Sequence, residues 1–149
     1  MMRNLAIVII LMSLFFTACQ SSATKNTEKA ETNTATVKDS LSSNTIQVYY
    51  FHGSIRCETC VAVDEKTHHY LQDLFPDKMQ NGEIIFQSIN IDKNERPDLI
   101  NKYQIYAQTL LIIKGDKVID VTDDAFMLVP TNPDKWRQKL KDNIQKLMH

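Results

Sequence analysis

The sequence predicts an α/β domain, a central mixed sheet flanked by helices in the order βαβαββα, and three observations carry that expectation. An apolar run at 46–51 leads directly into a Cys-x-x-Cys tetrapeptide and an amphipathic segment. Two further apolar runs, 110–113 and 118–122, are separated by a turn containing Gly115. Asn132-Pro133 then opens a last segment with Trp136, Leu140, Ile144 and Leu147 at helical spacing. Strand and helix signals alternating over about 105 residues fit one domain around one core.

Each element has its own local reason. Residues 46–51 read Ile-Gln-Val-Tyr-Tyr-Phe, β-branched and aromatic, and so predict a buried strand. From 60 to 75, Val63, Thr67, Tyr70, Leu71 and Leu74 share one face of a helix, which Pro76 ends. Residues 83–91 form a second strand pattern. Asn94 and Glu95 place polar groups ahead of Pro97, which starts a short helix over 98–103. The runs 110–113 and 118–122 pair as a hairpin across Lys114-Gly115-Asp116-Lys117. Asn132 is the expected N-cap of the last helix, with Pro133 at its first position. Phe126-Met127-Leu128, ahead of Pro130, reads as a loop folded onto the core, and Tyr103 and Tyr106 read as packing residues. No repeat or second domain is visible.

The region before the domain divides in two. Residues 1–18 carry one positive charge, Arg3, before an apolar stretch that ends in Thr17-Ala18. That stretch is shorter than the roughly 20 residues of a membrane span and fits the apolar centre of a signal peptide. The ending Phe16-Thr17-Ala18-Cys19 resembles a bacterial lipobox, although Phe16 stands where leucine is commonest. The resemblance implies diacylation of the Cys19 sulfur and cleavage immediately before it. Residues 19–44 then form a polar tether. Its 20–44 portion has 13 Ser, Thr or Asn among 25 residues and no aromatic side chain, too little apolar surface to order itself. A flexible chain of that length spans roughly 25–30 Å. The expected location is the cell envelope, lipid-anchored to the membrane, with domain 45–149 outside the cytoplasm on the periplasmic side. A formal net charge of −1, with no basic run, gives nucleic acid binding no support.

Cys57-Glu58-Thr59-Cys60 lies between a predicted strand and the start of a predicted helix. Unpaired N–H groups and positive partial charge at a helix start stabilise a thiolate, the attacking species in disulfide exchange. Two intervening residues bring the second sulfur within bonding reach one turn on. The pair therefore reads as a thiol–disulfide exchange site, with Cys57 the nucleophile and Cys60 the resolving thiol. Structural zinc would need four Cys or His ligands, and Cys19 is the sole other cysteine in the chain. His68 and His69 do not help, because His68 lies eight residues beyond Cys60, roughly 12 Å along a continuous helix. No metal site is expected.

With these residues in place, the span from about Ile46 to Leu147 resembles thioredoxin. The dithiol follows the first strand, Asn90-Ile91-Asp92-Lys93-Asn94 closes the second, and Thr109-Leu110-Leu111-Ile112-Ile113-Lys114-Gly115 leads into the hairpin. The resemblance implies a thioredoxin-like fold. More narrowly, Tyr49-Tyr50-Phe51-His52-Gly53-Ser54-Ile55-Arg56-Cys57-Glu58-Thr59-Cys60 resembles the ArsF family, described as nitrophenyl compound nitroreductase subunits and associated with arsenic-resistance gene clusters. This implies an electron-transfer role in nitroaromatic or organoarsenical reduction. Thioredoxins carry Trp before the first cysteine, Gly-Pro between the two, a buried Asp on the first strand and a cis-proline facing the dithiol. Here those places hold Arg56, Glu58-Thr59, Tyr50 or Phe51, and Gln108. A cis bond before a residue other than proline costs about 2.5–4 kcal/mol, so Gln108 is expected to be trans.

The expected lining of the site is His52, Arg56, Glu58, Thr59, Gln108 and Thr109. Arg56 favours a Cys57 thiolate and Glu58 opposes it; His52 is a candidate proton carrier or third ligand. No cofactor is expected, because the chain has only three glycines and no GxGxxG run for a flavin or nicotinamide. The expected partners are a membrane electron donor and exported thiol or disulfide proteins. The alternative is a non-catalytic module in which the dithiol and His52 capture arsenic or a soft metal. The tether reading has a direct consequence. Cys19→Ser should release the protein from membranes or leave its precursor uncut, and fatty-acid labelling of the variant as strong as the wild type would refute the anchor.

Overall fold

The computed structural model describes residues 44–149. The expected signal segment 1–18, Cys19 and the tether up to residue 43 lie outside the described residues. Among the described residues, nine elements follow in chain order: β1 (Ile46–His52), α1 (Glu58–Leu74), α2 (Pro76–Gln80), β2 (Ile84–Asn90), α3 (Pro97–Lys102), β3 (Thr109–Lys114), β4 (Lys117–Asp120), α4 (Thr122–Thr131) and α5 (Pro133–Met148). The sheet order is β2-β1-β3-β4. β1 pairs parallel with β2, whereas β3 runs antiparallel to both β1 and β4. This mixed sheet with helices on both faces is the α/β, thioredoxin-like fold that the sequence predicts. No described helix is long and apolar enough to cross a membrane.

Alternation along β1 divides the core between the two faces of the sheet. Val48 and Tyr50 join Leu110 and Ile112 against α1, α4 and α5, where Val63, Ala125, Trp136 and Leu140 are fully buried. Tyr49 and Phe51 face the other way with Leu111 and Ile113, against Leu99 of α3, Ile105 and the half-buried Tyr103. The stripe predicted for α5 is the stripe that is buried: Trp136, Leu140, Ile144 and Leu147. Asn132 caps this helix as expected, its Oδ1 accepting from the Lys135 N–H at 3.1 Å.

Several local expectations need correction. Pro76 ends α1 but also starts α2, where a missing N–H has no consequence. The second hairpin strand stops at Asp120, and α4 occupies the segment expected to be strand end and loop. The Thr122 hydroxyl donates to Asp120 Oδ1 at 2.6 Å and accepts from the Leu110 N–H at 2.8 Å. A side chain thus takes over the strand's last pairing position, and the backbone turns into a helix. Phe126 and Leu128 still pack inward, while Met127 is exposed. Asn94 is not a helix cap; it sits in the left-handed region at φ 51°, forming a turn. Glu95 instead accepts from the Asn90 N–H at 2.8 Å. Tyr106 is 87% exposed and is not a packing residue.

The burial of the α5 stripe predicts a large asymmetry between faces. Leu140→Ala should destabilise the domain by about 2–5 kcal/mol, whereas Lys146→Ala on the exposed face should stay within about 0.5 kcal/mol. Urea unfolding of both variants checks this, and comparable effects would contradict the assigned face.

Candidate functional site

The end of β1 delivers the dithiol, and its loop is tied down before the cysteines are reached. Ile91 N–H donates to His52 O at 2.9 Å, and Ser54 N–H to Asp92 Oδ2 at 2.7 Å. The Asn90 amide lies 3.2 Å from the Ser54 hydroxyl. A Cβ at Gly53 would come within 3.3 Å of that same Asp92 oxygen, so the close approach of the two loops favours glycine there.

Cys57 is the N-cap of α1. Its backbone is extended, and its Sγ accepts from the Cys60 N–H at 3.2 Å. The sulfur thus receives one of the unpaired donors of a long helix and sits in the positive field of its first turn. Cys57 is exposed and Cys60 is buried, and the two are joined by a disulfide with their Cα atoms 5.1 Å apart. That separation lies within the ordinary range for such bonds. Of the two cysteines, Cys57 is therefore the one open to a partner.

Polar groups converge under Cys60. The Tyr50 hydroxyl donates to the Cys60 carbonyl at 3.1 Å, and Arg56 Nη2 donates to the same oxygen at 3.2 Å. Arg56 Nη2 also pairs with Asp64 Oδ2 at 2.7 Å, and the Ser88 hydroxyl donates to that carboxylate oxygen at 2.8 Å. The guanidinium carbon lies 5.7 Å from the centre of the Tyr50 ring. β1 alternation decides which aromatic lies here: Tyr50 faces the dithiol helix and Phe51 the opposite side. A phenol therefore takes the place under the second cysteine, while the nearby carboxylate comes from α1. Burial is the main influence raising the Tyr50 pKa above 10.0; Arg56 works against the rise and Asp64 adds to it.

The other predicted lining residues are distributed around this centre. His52 stacks on Tyr50, with ring centres 5.8 Å apart, and its Nδ1 lies 2.8 Å from Gly53 O. Glu58 and Thr59 form the first turn of α1, Glu58 exposed and Thr59 half-buried. Thr109 pairs with Phe51, so Gln108 and Thr109 lie at the sheet end from which the dithiol loop departs. Gln108 is exposed and, like every described residue, follows a trans peptide bond. Among the described residues, no three His, Cys, Asp or Glu side chains converge to hold a metal ion. His68 stacks on Phe86 along α1, with ring centres 4.9 Å apart.

Sequence reasoning did not identify Asp64, Ser88 or the Tyr50 hydroxyl as parts of this site. The position of Asp64, one helical turn after Cys60, was a usable signal. The Ser88 contact depends on the parallel register that places Tyr50 opposite Ser88.

No protein-family model and no curated protein matches the sequence. Among solved structures, Fasciola hepatica thioredoxin is 19% identical, with 66% of this chain and 81% of that one covered at a TM-score of 0.42. Thioredoxin from Trypanosoma brucei brucei is 20% identical, covering 68% and 77% at 0.41. The zinc-bound form of human ERp44 is 14% identical at 0.46, over 70% of this chain; the match spans only 27% of ERp44.

The buried phenol has a pH signature. Its folded pKa is raised, so it contributes no pH dependence below about pH 10, where both folded and unfolded forms hold the proton. Above that, the unfolded phenol ionises first and stability falls. Tyr50→Phe should remove this part of the alkaline loss and cost about 1 kcal/mol at neutral pH through the missing hydrogen bond. Urea unfolding across pH measures both; an unchanged alkaline slope would show that Tyr50 does not cause it.

Proposed function

We propose that this protein is a lipid-anchored, extracytoplasmic thiol–disulfide oxidoreductase working through Cys57 and Cys60. The observation that carries the reading is the exposed N-cap residue Cys57, whose sulfur receives a helix N–H and is bonded to a buried Cys60. Such an arrangement separates an attacking sulfur from a releasing one. In the reduced protein, the Cys57 thiolate attacks one sulfur of a partner disulfide. The partner's S–S bond breaks, and its departing thiolate takes up a proton. Cys60 then gives up its proton and attacks Cys57 Sγ. The mixed disulfide breaks, the second partner sulfur leaves with the electron pair, and the Cys57–Cys60 bond forms. Two electrons pass to the partner, and the reverse sequence oxidises it.

The lipobox-like Phe16-Thr17-Ala18-Cys19 and the polar tether support placement beside a membrane electron donor and exported disulfide proteins. The likeness of residues 49–60 to the ArsF family supports a narrower reading, in which the electrons serve reduction of nitroaromatic or organoarsenical compounds in arsenic resistance. In that reading the protein is a dithiol subunit and another component carries out the reduction.

Partner trapping tests the assignment of roles. Cys60→Ser should accumulate mixed disulfides on Cys57 that a thiol reductant dissolves, whereas Cys57→Ser should trap little. Equal trapping by the two variants, or slower alkylation of Cys57 than of Cys60 at neutral pH, would overturn the roles. Failure of the wild type to exchange with any small disulfide would overturn the activity.

A further inference from the structure

The Arg56–Asp64 pair lies where it can act on the dithiol electrically, and its geometry differs from that of a free cation beside Cys57. Arg56 immediately precedes Cys57, yet its guanidinium turns inward, bonding both the Cys60 carbonyl and Asp64. Asp64 holds it there, with Ser88 donating to the same carboxylate oxygen. The two side chains are 24% and 15% exposed, so water screens them only in part.

We propose that Arg56 and Asp64 exert opposed electrostatic control over the reduction equilibrium of Cys57–Cys60, with Asp64 the positioning residue that fixes the Arg56 guanidinium under Cys60 and attenuates its charge. This rests on the dithiol reading above. A positive charge near a thiol favours the thiolate, and a negative charge disfavours it. Stabilised thiolates favour the reduced form and make a disulfide more oxidising. The pair is thus a fixed dipole beneath the resolving cysteine, with Arg56 promoting reduction and Asp64 restraining it. Other polar groups at this centre include the Ser88 hydroxyl on Asp64, the Tyr50 hydroxyl, His52 on the same face of β1, and Glu58 in the first turn of α1. Glu58 is exposed and therefore more strongly screened than Asp64.

The test is equilibration of the full chain in detergent with reduced and oxidised glutathione. Two glutathione thiols supply two electrons and two protons, giving the Cys57–Cys60 dithiol and one glutathione disulfide. Arg56→Gln should lower the equilibrium constant for reduction, and Asp64→Asn should raise it, each by about three- to tenfold, below the full effect of a buried opposite charge. The double variant should return towards the wild type. Arg56→Lys keeps the charge and should shift the constant less than Arg56→Gln. The shifts should be larger in mildly alkaline than in mildly acidic buffer, following the thiolate fraction.

A merely structural role would loosen the site in both single variants and move the constant in the same direction. Shifts of the same sign, or no shift in Asp64→Asn, would overturn the proposal. If Arg56→Gln does not fold, the sign of the Asp64→Asn shift decides it. The measurement needs no partner protein, so its outcome is separate from that of partner trapping.

Discussion

Everything near the dithiol depends on the register of β1. The strand is bonded on both edges, parallel to β2 from Ile46↔Ile84 and antiparallel to β3 up to Phe51↔Thr109. Its residues are also covered on both faces. Because side chains alternate, a slip of one residue would send Phe51 towards α1 and Tyr50 towards α3. The hydroxyl that meets the Cys60 carbonyl would leave the site. Burial of alternating apolar side chains on two faces thus fixes a polar contact that no apolar side chain makes.

The helix start is the second determinant, and it joins local structure to chemistry. Cys57 caps α1 with a sulfur, a weaker acceptor than a serine or aspartate oxygen but one that gains from negative charge. The same N–H that secures the end of the helix therefore favours the reactive form of the thiol. The loop before it is fastened to the segment after β2 through Ser54 and Asp92. The sulfur is consequently presented from an anchored turn, although Cys57 itself is exposed.

Much of the fold was readable because periodicity, caps and turns agree. The α5 stripe with Asn132-Pro133 and the hairpin around Gly115 each had two independent signals. α4 was not readable: it is short, contains Pro130 and begins where the Thr122 side chain replaces strand pairing. At the site, the two cysteines were legible from their spacing and their place between strand and helix, whereas the expected place of Gln108 and Thr109 came from the resemblance to thioredoxin. The turning of Arg56 towards Asp64 did not, because a flexible side chain in the loop before a helix can reach either solvent or the second turn. The partner of Tyr50 was hidden for another reason: a backbone carbonyl carries no sequence signature.

The phenol beneath Cys60 bears on how the protein can change. A carboxylate carried by β1 at this depth would introduce an ion into the centre of the sheet, and an inadequately paired ion there lowers stability. Tyr50 supplies a donor without charge through the neutral range, while the formal charges stand further out on Arg56 and Asp64, within partial reach of water. Cohesion of the sheet and electrical control of the sulfurs are thereby assigned to different side chains. Substitution at the outer pair can retune reactivity while the central strand keeps its packing, so variation in chemistry and persistence of the fold are separable in this protein.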